Sequence, residues 1–196
     1  MKWILLIPIS YLIGCFSSAY LLGKIAQDID IRNYGSGNAG TTNAMRVMGR
    51  KLGILTFIFD VLKGIIAVYI GRLLLGDIGG MVGGFFAVIG HNWPIFIGFR
   101  GGKGVATSLG VLMVMNLPST ILAVVFGMVV AIISRYVSLG SMSFLSSYAI
   151  IYALITQDFN KGIFVLALAL AALTIFRHKS NIQRIVAGNE NKLGRW

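Results

Sequence analysis

Residues 105–133 read VATSLGVLMVMNLPSTILAVVFGMVVAII, 29 positions without a charge. A single straight helix of that length would run about 44 Å, well beyond the ~30 Å hydrocarbon core of a bilayer. Asn116-Leu117-Pro118-Ser119 lies in its middle, and proline disrupts a helix interior. The stretch therefore predicts two short spans, the fourth and fifth of the chain, joined by a turn at the far membrane surface.

Outward from this stretch the pattern repeats. Apolar blocks cover 3–22, 53–75 and 80–99 upstream, and 139–155 and 163–176 downstream, giving about seven transmembrane helices in an all-α polytopic membrane protein. Asp60 and Lys63 fall inside the second block one helical turn apart, where they can pair on one face. Of the 196 residues 57% are hydrophobic and 12% charged, half the charge of an ordinary soluble domain. Gly79, Gly80, Gly83 and Gly84 suit close helix packing in lipid. Cys15, the only cysteine, excludes an internal disulfide. Leu12-Ile13-Gly14-Cys15 resembles a lipoprotein cleavage box, but the apolar run continues past it and suits a retained span. The whole chain, 1–196, reads as a single domain.

Charge sets the orientation. Seventeen Lys and Arg oppose six Asp and Glu, a net +11. The basic residues sit mostly between apolar blocks rather than on one soluble face, which argues against a nucleic-acid partner. With seven spans, Lys24, Arg32, Arg46, Arg50, Lys51, Arg100, Lys103, Arg135 and the basic tail from Arg177 all fall on one side. The positive-inside rule makes that side cytoplasmic, with the N-terminus outside and the C-terminus inside.

Three polar clusters are placed on that side. The first is GSGNAGTTNAMR at 35–46. Gly35 and Gly37 let successive N–H groups point into one concavity, and Ser36, Asn38, Thr41 and Asn43 add short donors. Thr42 or Asn43 could cap a following helix whose N-terminus faces an anion, with Arg46 adding a fork. The second cluster is GHNWP at 90–94 followed by FRGGKGVAT at 99–107. It fails as a nucleotide P-loop, because Gly104 follows Lys103 and Ile97 occupies the leading glycine position. What remains is Lys103 on a turn of Gly101, Gly102 and Gly104 at the start of a span, a good place to meet phosphate. The third is HKSNIQR at 178–184 with Gly188-Asn189-Glu190; on a helix, His178, Asn181 and Arg184 share a face. Glu190 could tie the tail to Arg46 or to Arg184.

Absences narrow the chemistry. Six acids with no grouping argue against a metal site and imply no cofactor. The His-x4-Asp pattern of a large acyltransferase class is missing, since Phe96 and Gln183 stand five places after His91 and His178. The residues alone define a membrane protein with a cytoplasmic, metal-free site for phosphate-bearing ligands.

Taken together, GSGNAGTTNAMR, GHNWP with FRGGKGVAT, and HKSNIQR with GNE resemble the bacterial acyl-phosphate:glycerol-3-phosphate acyltransferases over nearly the whole chain. Thr41 stands where that family commonly has alanine, and Arg100 where it has lysine; both keep the chemical character. The resemblance implies transfer of a fatty acyl group from acyl phosphate to the 1-hydroxyl of glycerol 3-phosphate. The products are lysophosphatidic acid and phosphate, the first step of phospholipid synthesis, in the bacterial cytoplasmic (inner) membrane. The implied partners are the two substrates and the lipid bilayer, with no obligatory protein partner. Ser36, Asn38 and Lys103 are expected around the acyl phosphate. Arg46, with His178 and Asn181, is expected to hold glycerol 3-phosphate or the reacting centre, with Ser138, Ser141 and Arg184 as further donors. The base is His178 or a substrate phosphate, whose second pKa lies near 6. The rival from another class is an organic-phosphate transporter, disfavoured because the sequence shows no internal repeat.

Overall fold

The computed structural model describes residues 2–194; Arg195 and Trp196, the end of the basic tail, lie outside the described residues. Every regular element among them is helical: α1 (Lys2–Cys15), α2 (Ser18–Gln27), α3 (Thr41–Met48), α4 (Arg50–Asn92), α5 (Val105–Met115), α6 (Leu117–Ser134), α7 (Val137–Ile155), α8 (Lys161–Arg177) and α9 (Lys179–Val186). Short 3-10 turns occupy Ile31–Asn33 and Ile95–Ile97. Four segments are long and apolar enough to cross a membrane (Lys2–Gln27, Arg50–Ile97, Leu117–Ser134, Val137–Ile155), and α8 with α9 passes the same test only when the bent pair is counted as one span. Large apolar side chains point outward, Leu73 at 85% and Leu154 at 79% exposure. That is the outside of a protein solvated by lipid tails.

The chain forms two compact units, 1–114 and 115–196. In the first, α4 folds back on itself. Leu75 leaves helical geometry and Gly76 takes φ 64°, a left-handed value that costs glycine nothing. The arms then pack so closely that a Cβ on Gly71 would overlap the Gly79 carbonyl, and one on Gly83 the Ala67 carbonyl. The expected turn between the second and third apolar blocks is therefore present, and the small residues on either side let the backbones meet. α1 lies on the second arm, with Gly14 against the Ala87 carbonyl and Gly90 against that of Tyr11. α5 lies on both arms, with Gly110 against Val61 and Val111 against Gly84. A small core of Ala19, Ile31, Ala39, Ala44 and Met48 ties α2 and α3 together.

The uncharged stretch breaks where its proline indicated. α6 begins at Leu117 with Pro118 in its first turn, and the Asn116 side chain caps it by accepting from the Ser119 N–H at 2.9 Å. α5, at 11 residues, is only about 16 Å long, roughly half the hydrocarbon core.

In the second unit α6 and α7 meet through Gly127 and Gly140, each against the other's carbonyl. Tyr148 and Tyr152 stack at 6.0 Å, and Phe159 continues the ladder. The Tyr152 hydroxyl accepts from the Asn160 N–H, and Asn160 caps α8. α8 and α9 meet at 57°.

Candidate active site

The first glycine-rich loop is shaped by Asn43. This residue is 2% exposed; its Oδ1 accepts from the Ser36 N–H at 2.8 Å, and its Nδ2 donates to the carbonyls of Tyr34 and Ile31 at 3.0 and 3.3 Å. α3 starts at Thr41 with Gly40 as its cap and no side-chain bond there. The capping expected of Thr42 or Asn43 is thus absent, and Asn43 acts instead as the strut of the loop. Its amide spends its hydrogen bonds on backbone, so Asn43 is not available as a ligand donor. Gly35 (φ 60°) and Gly37 (φ 70°) take the left-handed turns that leave Ser36 exposed at the tip.

The second loop is built on the end of α4. The Gly102 N–H donates to the His91 carbonyl at 3.1 Å, and the Gly101 N–H to the Asn92 carbonyl at 3.3 Å. A Cβ on Gly101 would overlap the His91 carbonyl, and one on Gly102 the His91 imidazole; Gly104 takes φ 80° against Asn92. Each glycine of Gly-Gly-Lys-Gly is therefore required by close backbone approach, while Lys103 stays half-buried between them. α5 starts immediately afterwards, its first hydrogen bond running from the Ser108 N–H to the Gly104 carbonyl at 2.7 Å.

These two loops meet. Asn38 Nδ2 lies 3.4 Å from the Gly101 carbonyl, and Gly40 faces the Cα of Gly102. Ser36, Asn38, Gly101, Gly102, Lys103 and the N-termini of α3 and α5 thus belong to one polar region of the first unit. Two helix N-termini and a lysine make a setting that favours anions. Arg32 braces it, donating to the Ile97 carbonyl while Asp30 grips its guanidinium at 2.6 Å. The Arg32 side chain in turn holds the Asp30 carboxyl below the usual carboxylate range.

The third cluster, in the second unit, is organised by Glu190. Its Oε1 accepts from Ser138 Oγ at 2.9 Å and Asn181 Nδ2 at 2.6 Å, and its Oε2 from Arg184 Nε at 2.8 Å. Glu190 therefore holds Arg184, one of the two arginines its position suggested. Burial pushes its carboxyl pKa up, but the bonds from Asn181, Arg184 and Ser138 outweigh that and hold it below the usual value. The Ser138 hydroxyl is spent on this carboxylate, and Ser141 donates to the Val137 carbonyl of its own helix. His178 sits at the bend between α8 and α9 as the residue that precedes α9, and both it and Asn181 are buried. The His178 Nδ1 lies 2.8 Å from the Thr174 carbonyl. A carbonyl only accepts, so Nδ1 carries the proton, and in the neutral ring Nε2 is the basic nitrogen.

The Asp60–Lys63 pair forms as the spacing indicated, at 2.8 Å and almost fully buried. Sequence reasoning missed its third member, His91, whose Nδ1 lies 2.8 Å from Lys63 Nζ. The available signal was physical, since two charges in an apolar span need further polar partners.

Fold and site together define an all-helical integral membrane protein in which two glycine-rich loops meet beside Lys103. A family model described as glycerol-3-phosphate acyltransferase matches residues 4–188. The glycerol-3-phosphate acyltransferase of Thermoanaerobacter pseudethanolicus is 50% identical over 186 residues, covering 95% of this chain and 93% of that one. The one from Clostridioides difficile is 41% identical over 199 residues, covering 98% and 96%. The crystal structure of PlsY, an integral membrane glycerol 3-phosphate acyltransferase, in its glycerol 3-phosphate form superposes with TM-score 0.90 at 34% identity, covering 97% of this chain and 95% of that one. Its lysophosphatidic acid form gives TM-score 0.88 at 33% identity. The chain belongs to the glycerol-3-phosphate acyltransferase family.

Proposed function

We propose that the chain transfers a fatty acyl group from acyl phosphate to the 1-hydroxyl of glycerol 3-phosphate, yielding lysophosphatidic acid and inorganic phosphate. The observation that carries this reading is the junction of the two glycine loops at Asn38 and Gly101, which gathers two helix N-termini and Lys103 in one region and so supports a site for an anion. An acyl phosphate is a mixed anhydride with a good leaving group. The protein's task is therefore to neutralise charge, hold the carbonyl and aim the hydroxyl. The glycerol oxygen attacks the carbonyl carbon, the carbon–oxygen bond to phosphate breaks, and the departing phosphate carries that electron pair. Ser36, Asn38 and Lys103 serve the acyl phosphate; Arg46, His178 and Asn181 serve glycerol 3-phosphate or the reacting centre. The hydroxyl proton goes to His178 Nε2 or to a substrate phosphate, and the Thr174 contact supports the histidine.

The reaction is metal-independent in this reading. Asp30, Asp60, Asp77 and Glu190 are each tied to a basic side chain, which leaves little carboxylate for a cation. The protein acts as one domain in the bacterial cytoplasmic membrane without an obligatory protein partner, a reading supported by a family match that runs through both units. Seven crossings, with the N-terminus outside and the site facing the cytoplasm, are supported by the placement of most of the 17 basic residues.

Purified protein in detergent, given palmitoyl phosphate and glycerol 3-phosphate with EDTA, should release phosphate and lysophosphatidic acid, and Lys103→Ala should abolish both. Turnover with acyl-CoA alone would change the donor. Inactivity with both donors would favour transport of organic phosphates instead.

A further inference from the structure

Lys63 lies in the interior of α4, 4% exposed, and its ammonium has three acceptors at 2.8 Å: Asp60 Oδ1, the Phe16 carbonyl and His91 Nδ1. The Phe16 carbonyl belongs to the break between α1 and α2, where it has no partner within a helix. Asp60 also accepts from Ser18 Oγ at 2.8 Å, the first residue of α2. An ammonium has three N–H groups and no lone pair. All three are therefore used, and His91 Nδ1 must be an acceptor. The ring proton of neutral His91 then sits on Nε2, the nitrogen lying against Gly102 where a Cβ would overlap it. The backbone of His91 holds the same glycine through the Gly102 N–H. The turn that carries Lys103 thus rests on an imidazole whose tautomer and orientation are set by a buried ion pair. Charges this deep in an apolar helix bundle are costly unless paired, and they mark function more often than stability.

We infer that His91, oriented by Lys63 and Asp60, is a positioning residue that holds the turn at 101–104 and thereby aims Lys103 at the acyl donor. This rests on the acyltransferase reading above. It differs from a packing role in what it demands: the nitrogens of the ring matter, and its volume alone does not suffice.

The test is made with full-length protein in detergent, using whichever donor, palmitoyl phosphate or palmitoyl-CoA, the wild type turns over. Inactive wild type overturns the acyltransferase reading and this inference with it. With active wild type, kcat is normalised to the folded fraction, and KM for both substrates and thermal unfolding are recorded for His91→Phe and His91→Gln. His91→Phe keeps a ring and loses both nitrogens; kcat should fall about 100-fold, the scale of a 1 Å misplacement of a catalytic group. His91→Gln, which offers both an acceptor and a donor, should recover at least tenfold of that loss. The paired change Asp60→Asn with Lys63→Met removes the donor to Nδ1 without stranding a charge, and should lower kcat at least tenfold even if His91→Phe does not fold. A kcat per folded molecule within twofold of wild type in the foldable variants, or equal loss in His91→Phe and His91→Gln, overturns the inference.

Discussion

Replacing Glu190 with glutamine should destabilise the tail without removing a substrate contact. The carboxylate accepts from Ser138 and Asn181 on Oε1 and from Arg184 on Oε2. The amide oxygen of glutamine can keep the first two bonds, but its NH2 would face the Arg184 Nε–H, donor against donor. Losing the bond to the guanidinium costs about 1.5–3 kcal/mol. The other two bonds lose charge assistance, adding about 1 kcal/mol. Arg184 is 35% exposed and can turn to water, which keeps the total near about 3 kcal/mol. For a chain of this size each kcal/mol moves the midpoint by about 2–4 °C. Thermal unfolding of Glu190→Gln in detergent at neutral pH should therefore occur roughly 6–12 °C below wild type. The pH dependence has a definite sign. The folded carboxyl lies below its ordinary 4.5, so its contribution is complete above that pH and is lost as pH falls through the folded value. The gap between the two proteins should narrow as the pH falls below 4.5. A gap under 2 °C at neutral pH, or one unchanged by acid, would refute the reasoning.

Asn43→Ala removes three hydrogen bonds to backbone groups of the first loop; a loss of about 2–3 kcal/mol in denaturant unfolding and at least a tenfold fall in turnover are expected. Gly102→Ala sets a methyl group into the His91 ring and should lower kcat by about 100-fold while the helical content seen by circular dichroism is unchanged. His178→Gln should lower kcat by at least about 100-fold if the imidazole takes the proton; nearly full turnover would assign the proton to a substrate phosphate.

Much of the architecture was legible along the chain, because the apolar blocks and their breaks are local features. Pro118 and Asn116 placed the α5–α6 break, and Asp77 with its flanking glycines placed the turn in α4. Asp60 and Lys63 could be paired because their partnership is one helical turn long. The glycine-rich loops with Lys103 and Arg46 marked phosphate chemistry by composition alone. Other features depended on residues far apart in sequence. The union of the first two loops needs Asn38 against Gly101, the third acceptor of Lys63 is 28 residues away in the other arm of α4, and the seat of Glu190 needs Ser138, 52 residues away in α7. Asn43 looked like a ligand donor because its amide is polar and follows a glycine loop, yet folding turns it inward to satisfy three backbone groups. Hydropathy is set residue by residue, and so the sequence determines the membrane and the apolar helices, though not the break at Phe16 and Ser17 inside the first block. A hydrogen bond is set by where two distant atoms come to rest, so the partners of His91, Asn43 and Glu190 were decided only by the tertiary structure.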